Sequence, residues 1–463
     1  MQKRQKKSMP KIVATKTNNF LVFAMIFCAG LGGILYGYDI GVISGALLFV
    51  QKVIPMTESQ IGFMVGAVLG GGIVGTLVTG YFADRFGRRT MILASCVLFF
   101  IGIISILLTS SFVVLLISRL VLGLAVGIVA VAVPLYLTEV APAKIRGRSI
   151  TIFQLLLTFG IVLAYFVDLL FTPSGNWRGM FAVILIPTSI LFFSMCFLPE
   201  TPRWLLSKRR KVLAEKVLLQ TRSVKEAQKE LKQIQDSLKK TESNWQALFA
   251  RNLWLPLSVS LVIAACNQLT GINVLLQYAP IMIQKTGLHS DLASMFGTVG
   301  IGLVNFLGTI LAFFLIDRFG RRFLLLIGTA GVTLAYIYLG LLPHLGLAEQ
   351  LQAELSLIGF ATFIAFFAIG PGVVVWLAIS ELLPTKVRGK GVALALFINS
   401  VAGFLLSSAF LTIENLLSVA GTYLLFAGFT LVYFLVAFFM LPETKGKTLE
   451  EIQQFYQKKK SAK

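Results

Sequence analysis

The chain has 463 residues, 57% of them apolar and 13% charged, and its 41 Lys and Arg against 20 Asp and Glu give a formal charge of +21. Ordinary soluble domains run at roughly 45–50% apolar and 25% charged, so a soluble globular protein is excluded. Apolar stretches of about twenty residues recur from end to end, each long enough to cross the ~30 Å hydrocarbon core as a helix, without the alternation of a membrane β-barrel. The expected fold is an all-α membrane bundle.

Residues 1–19 form a basic tail. The stretch that follows, Phe20–Ile40, sits where a signal peptide would, but it is too long and lacks a small-residue cleavage site. It reads as the first of six spans over residues 20–198, the others being Ile61–Ala83, Met91–Leu108, Val113–Val133, Ile150–Leu170 and Phe181–Leu198. Residues 199–252 are a polar linker, in which Lys208–Gln246 carries Ala, Leu, Glu, Gln and Lys at helical spacing and is expected to form short helices. Six further spans occupy residues 253–441: Leu253–Ile283, Met295–Ile316, Phe323–Leu342, Ser356–Leu383, Val392–Leu411 and Thr422–Leu441. Residues 442–463 form a second basic tail.

Basic residues crowd into every second connection, among them Arg85–Arg89, Lys144–Arg148 and Arg318–Arg322, whereas Thr109–Ser111, Pro343–Glu354 and Glu414–Val419 are nearly free of Lys and Arg. By the positive-inside rule both termini and the linker are cytoplasmic, and the compact loops suit a multi-pass protein of a bacterial inner membrane. The charge therefore reads as topology and lipid contact, with no nucleic-acid partner. Cys28, Cys96, Cys196 and Cys266 lie within apolar spans without metal-ligand spacing, as buried free thiols.

Within the spans, polar residues are few and informative. Asp39 and Arg119 each cost at least ~2.5–3.5 kcal/mol if isolated in the bilayer, so they are expected to face the bundle interior and compensate each other. Asp168, near the outer end of the fifth span, reads as an interfacial carboxylate within reach of water rather than as a second titrating group. Gln154, Asn267, Gln268, Asn273, Gln277, Asn305 and Asn399 are amides, each offering two donors and an acceptor, the chemistry that neutral hydroxylated ligands need. Trp376 offers an aromatic face for the apolar side of such a ligand. For any single amide an interhelical hydrogen bond is an equally simple role. Gly370-Pro371-Gly372 should bend the tenth span. The sequence carries no paired-carboxylate, metal-ligand or nucleophile–base constellation, and His289 and His344 fall in outer loops, so neither an enzyme nor a cofactor is expected.

Three strings occur twice at offsets of about 240 residues. Asp84-Arg85-Phe86-Gly87-Arg88-Arg89 returns as Asp317-Arg318-Phe319-Gly320-Arg321-Arg322. Glu139-x-x-Pro142 through Arg146-Gly147 returns as Glu381-x-x-Pro384 through Arg388-Gly389, and Pro199-Glu200-Thr201 as Pro442-Glu443-Thr444. The halves are parallel repeats, which places a substrate site between them.

With Gly37-Tyr38-Asp39, Pro199-Glu200-Thr201-Pro202-Arg203-Trp204, Gln268-x-x-Gly271-Ile272-Asn273 and Pro442-Glu443-Thr444-Lys445-Gly446, nearly the whole chain resembles the sugar porter family of the major facilitator superfamily. That resemblance implies twelve transmembrane helices and proton-coupled symport of a hexose, pentose or polyol, with Asp39 as proton acceptor and Arg119 as its partner. It also implies sugar contacts from Gln154, Gln268, Asn273, Asn305 and Trp376, to which Asn267, Gln277 and Asn399 are added as neighbouring amides. A cytoplasmic gate of Asp84, Arg85, Arg89, Glu139 and Arg146 with Asp317, Arg318, Arg322, Glu381 and Arg388 follows from the same likeness. The family often has paired glutamines at Asn267-Gln268, paired tyrosines at Gln277-Tyr278 and a tryptophan at Ser400, so a more polar or larger ligand such as a cyclitol stands beside hexoses and pentoses. Uncoupled facilitated transport and a non-transporting sugar sensor are the alternatives, and a monomer is expected.

Overall fold

The computed structural model describes residues 19–142, 145–239, 245–250, 253–384, 387–447, 451–452 and 456. All but the last residue of the first basic tail, and most of residues 448–463, lie outside them. The first five crossings are α1 (Asn19–Val53), α2 (Glu58–Phe86), α3 (Arg88–Leu108), α4 (Phe112–Val140) and α5 (Arg146–Phe171). A sixth is made of α6 (Trp177–Ala182) and α7 (Leu185–Phe197). After the short helices α8 (Pro202–Ser207), α9 (Lys211–Thr221) and α10 (Val224–Lys239), a seventh crossing pairs α11 (Trp254–Leu269) with α12 (Ile272–Gln284). Then come α13 (Asp291–Phe319), α14 (Arg321–Leu341), a tenth crossing of α15 (Glu349–Ile369) and α16 (Pro371–Leu382), and α17 (Arg388–Met440).

Eleven of these segments are apolar and long enough to cross a membrane, and the last has 53 residues. At 1.5 Å per residue α17 would be about 80 Å long if straight, more than twice the hydrocarbon thickness. It is instead broken at Ser418, whose φ of 65° is non-helical, and therefore makes two crossings, for twelve among the described residues. Among the described residues there is no strand.

The crossings are longer than the apolar runs suggest, because they continue into polar ends. A capping box starts α2: Thr57 Oγ1 accepts from the Gln60 N–H at 3.3 Å and Gln60 Oε1 from the Thr57 N–H at 2.9 Å. Two discontinuities fall inside expected spans. Gly271, at φ 79°, separates α11 from α12, and Gly370 (φ −112°, ψ −98°) separates α15 from α16 just before Pro371, where the bend was expected.

Helix α1 packs along α5. The approach is so close that a Cβ on Gly37 would lie 1.8 Å from the Leu157 carbonyl oxygen, and one on Gly33 2.5 Å from that of Phe153. In a bilayer, where no hydrophobic force drives helices together, such backbone contact supplies the packing energy. The linker helices build a small core of their own from Leu205, Leu206, Ala214, Val217, Leu218, Ala227 and Leu231. Ala227, Leu231 and Ile234 recur along one face of α10 at helical spacing, which leaves its charges in water. Arg222 ties this unit to the first six crossings: it donates to the Val140 and Ala141 carbonyls at the end of α4 and forms a fork with Glu230.

The ends of the bundle differ. One, here the basic face, carries the α2–α3, α4–α5 and α13–α14 connections and α8–α10. Among the described residues, the polar contacts between the two six-crossing sets lie toward the opposite face. Tyr165 on α5 donates to the Leu276 carbonyl of α12 at 2.6 Å, Lys52 on α1 pairs with Asp291 on α13 at 3.6 Å, and Asn415 on α17 donates to Glu58 on α2. At the basic face a cavity of about 1640 Å³ lies among α1, α4, α5, α8 and α10, with Gly389 of α17 on its wall.

Of the four thiols, Cys96 and Cys266 are buried and Cys28 is half-buried, but Cys196 is exposed, on the outward side of α7. Asp168 also departs from expectation: it is 0% exposed. The reason is its direction, since its carboxylate faces α1, where the backbone N–H of Gly45 donates to Oδ2 at 3.1 Å.

Candidate functional site

Asp39 on α1 and Arg119 on α4 meet in the interior. Arg119 Nη1 donates to Asp39 Oδ1 at 3.0 Å, both residues are 0% exposed, and the guanidinium lies over the Phe181 ring at 5.7 Å. The pair is incomplete, because Asp39 Oδ2 and Arg119 Nε and Nη2 have no hydrogen-bond partner. A bidentate fork would use both carboxylate oxygens. Here one oxygen is left to accept something else.

The amides of the seventh crossing collect at its break. Gln268 Oε1 accepts from Asn273 Nδ2 at 2.7 Å across the Gly271 discontinuity, and Gln268 Nε2 donates to Asn399 Oδ1 on α17 at 3.1 Å. Asn399 Nδ2 donates to the Ala264 carbonyl at 2.8 Å, and Asn267 Nδ2 to the Pro371 carbonyl at 3.2 Å. Asn267 and Asn399 thus fasten α11 to α16 and α17, while Gln268 and Asn273 keep donor and acceptor capacity in hand. Gln277, one helical turn beyond Asn273, is 0% exposed with neither amide atom bonded. Asn305 on α13 is 6% exposed, and Gln154 on α5 and Trp376 on α16 are half-buried. None of these residues lines the basic-face cavity.

At the basic face the structure selects different arginines from those the motif suggests. Arg88 pairs with Asp84 at 2.9 Å and Glu139 at 3.2 Å, and Arg321 with Asp317 at 3.6 Å and Glu381 at 3.4 Å. Arg85 and Arg318 are exposed and lie over the Phe86 and Phe319 rings. Arg89 donates to the Met195 and Cys196 carbonyls at 2.7 Å, Arg322 to that of Phe438 at 2.6 Å, and Arg388 to that of Leu383 at 3.4 Å. Arg146 pairs with Glu230 on α10 at 3.2 Å. The signal for Arg88 and Arg321 was in the sequence, since each stands four residues after an aspartate. Nothing local marked Glu230.

Glu200 and Glu443 occupy equivalent positions beneath α3 and α14. Glu200 accepts from the backbone N–H groups of Arg88, Arg89 and Thr201, and Glu443 from those of Arg321, Arg322, Thr444 and Lys445. Each thereby caps a helix N-terminus, where donors and dipole favour negative charge. The connecting glycines, Gly87 and Gly320, have φ of 105° and 89°, and a Cβ at either would run into the carboxylate. The two caps differ electrostatically. Burial pushes the Glu200 carboxyl up against its backbone donors and Arg88. At Glu443 partial burial also raises it, but the four N–H donors outweigh that and hold it below the usual carboxylate range.

The sequence profile described as "Sugar (and other) transporter" matches residues 25–456. The chain is 38% identical over 451 residues to the probable metabolite transport protein CsbC of Bacillus subtilis strain 168, covering 96% of this chain and 97% of that one. It is 36% identical over 442 residues to the galactose-proton symporter of Escherichia coli K12, covering 95% of both. Among solved structures, the inward open conformation of the E. coli xylose transporter XylE matches with a TM-score of 0.81 and 28% identity, over 94% of this chain and 99% of that one.

Proposed function

Because the chain belongs to the sugar (and other) transporter family, we propose that it carries a sugar or polyol together with a proton into the cell, by alternating access between its two six-crossing halves. The observation that carries this reading is the Asp39–Arg119 pair, buried to 0% exposure yet with Asp39 Oδ2 unbonded. Arg119 keeps its proton under all ordinary conditions, so the carboxylate is the group that takes one up. Protonation at Oδ2 removes the carboxylate's charge and loosens its hold on Arg119, which frees α1 and α4 to shift relative to each other. In the second half Gln268 and Asn273 present amide groups to the ligand's hydroxyls, Asn305 and Gln154 approach from α13 and α5, and Trp376 provides the apolar face. Asn267 and Asn399 position the break in the seventh crossing, and Gln277 is the amide whose partner the ligand or water supplies.

The basic face is the cytoplasmic side, as the placement of Lys and Arg implies, and the membrane is a bacterial inner membrane. Polar contacts between the halves then lie toward the outside, in keeping with the likeness to an inward-open relative. The basic-face pairs, Arg88 with Glu139 and Arg321 with Glu381, stay within their own halves here and exchange partners when that side closes. The protein works as a monomer in the bilayer.

The test is uptake into proteoliposomes under an imposed pH gradient, with galactose, xylose, arabinose, glucose and inositol. Gradient-driven accumulation of at least one is expected. Equilibration without accumulation overturns coupling and leaves facilitated transport, and Asp39→Asn should lose accumulation while retaining exchange.

A further inference from the structure

Asp168 is a second buried carboxyl in the first half, and the coupling pair does not involve it. It is 0% exposed; Oδ2 accepts one hydrogen bond, from the Gly45 N–H at 3.1 Å, and Oδ1 has no partner. The site is built around it. A Cβ at Gly45 would lie 2.5 Å from the Asp168 Cβ and 2.7 Å from Oδ2, so α1 has a notch where the carboxyl sits. The Ser44 hydroxyl, itself fully buried, stands beside the carboxyl.

Surrounding charges do not compensate it. Tyr38 on α1 and Tyr165 on α5 are the titratable groups that sense its charge. Both hydroxyls are committed elsewhere, to the Met180 and Leu276 carbonyls. Arg119 on α4 pairs with Asp39, and Arg178 on α6 donates to the Leu107 and Thr109 carbonyls. Thr172, in the turn after α5, donates to the Asp168 carbonyl. On the second half Asp291 of α13 pairs with Lys52, and Lys285 of α12 with Glu414. An ionised carboxylate buried this deeply, without a cation, is far costlier than the neutral acid, which also gains a donor for the vacant oxygen's surroundings.

The site lies one helical turn from the seam between the halves. Tyr165, three residues before Asp168 on α5, bonds across that seam to α12, and its ring lies against Gly302 of α13. We infer that Asp168 is a second proton-binding site, taking up a proton from the medium at the opposite face as the seam closes and returning it there when the seam opens. Written out, a solvated carboxylate plus one proton becomes a buried carboxylic acid on closure, and the reverse on opening. On this reading the proton returns to the side it came from and is not carried across. It sets instead how readily the opposite face closes. The inference rests on the alternating-access reading above, and its test separates the two.

Spin labels at Val53 and Leu292, both exposed and on either side of the seam, report its opening in a background with the four cysteines replaced. Measured in Asp39→Asn protein, so that the coupling carboxyl is silent, the closed-to-open ratio should fall by up to about tenfold per pH unit as pH rises, the slope of one proton. Adding Asp168→Asn should flatten the response, and Asp168→Glu should restore it. A slope that survives Asp168→Asn, is missing from Asp39→Asn, or is abolished by Asp291→Asn instead, overturns the inference. If Asp168→Asn does not fold, infrared spectra of Asp39→Asn protein decide: a carboxylic-acid carbonyl band that disappears in step with opening supports the site, and an invariant spectrum overturns it. Loss of any sugar-dependent change in the label distance in the wild-type sequence would overturn alternating access itself, and the inference with it.

Discussion

Arg119 holds Asp39 by one hydrogen bond of 3.0 Å while two further guanidinium nitrogens and the second carboxylate oxygen stay unbonded. Removing the arginine leaves an unpaired buried carboxylate, which costs about 3–5 kcal/mol. Arg119→Ala should therefore lower the melting temperature in detergent much more than Asp39→Asn/Arg119→Gln, which replaces both charges. If the single variant melts no lower than the double, the pair is not what stabilises this region.

Gln268 is the hub of the amide cluster, bonded to both Asn273 and Asn399. Gln268→Ala strands one group on each, at about 1–3 kcal/mol apiece. Transport should show a raised KM for every sugar carried, together with lower stability. Trp376→Ala, which removes no hydrogen bond made by the cluster, should raise KM with a smaller loss of stability.

Gly37 and Gly80 make a controlled pair. A Cβ at Gly37 would collide with the Leu157 carbonyl, whereas one at Gly80 meets nothing within 4 Å. Gly37→Ala should destabilise by about 1–3 kcal/mol through forced separation of α1 and α5. Gly80→Ala should be neutral or stabilising by up to about 1 kcal/mol, because it restricts the unfolded chain. Thermal unfolding of the two variants checks both signs.

At the basic face, Arg88 rather than Arg85 carries the electrostatics. The Glu139 side chain is 9% exposed and Arg88 is its cationic partner, while Arg85 is exposed. Arg88→Ala should reduce stability by about 3–5 kcal/mol, and Arg85→Ala should stay within about 0.5 kcal/mol of the parent. Equal effects would contradict the assignment.

The two helix caps should respond oppositely to pH. Glu443 is held below its ordinary value, so its contribution is present above the unfolded-state value and is lost as pH falls through the lower folded one. Glu200 is raised, so its contribution is complete below the unfolded-state value and is lost as pH rises through the higher folded one. Comparing melting temperature against pH for Glu443→Gln and Glu200→Gln should show the acid-side loss blunted in the first and the loss on raising pH blunted in the second.

The crossings were legible because burial in lipid demands long apolar runs, and the Gly370 bend because a glycine beside a proline cannot sustain a helix. The Asp39–Arg119 contact was legible for a similar reason: two lone charges in hydrocarbon must find each other. What stayed hidden depended on direction. Asp168 near a helix end reads as wet, and only the notch at Gly45 turns it inward. Asn267 and Asn399 look like ligand groups in sequence, yet each spends a donor on a backbone carbonyl of another helix. In each Asp-Arg-x-Gly-Arg-Arg string three arginines compete, and the i,i+4 spacing to aspartate is the criterion that separates Arg88 and Arg321 from the others.

The clamp of Arg222 on the end of α4 bears on how the polypeptide is jointed. Sequence repetition changes over near residue 199, yet α8–α10 are fastened to the preceding crossings through Val140, Ala141 and the Arg146–Glu230 pair. The freight of the first half thus extends to Lys239, and the tether between moving bodies is correspondingly short. Co-expressed fragments severed after α10 would each keep a complete docking unit, whereas a cut at the repeat boundary would strand the linker helices on the wrong piece.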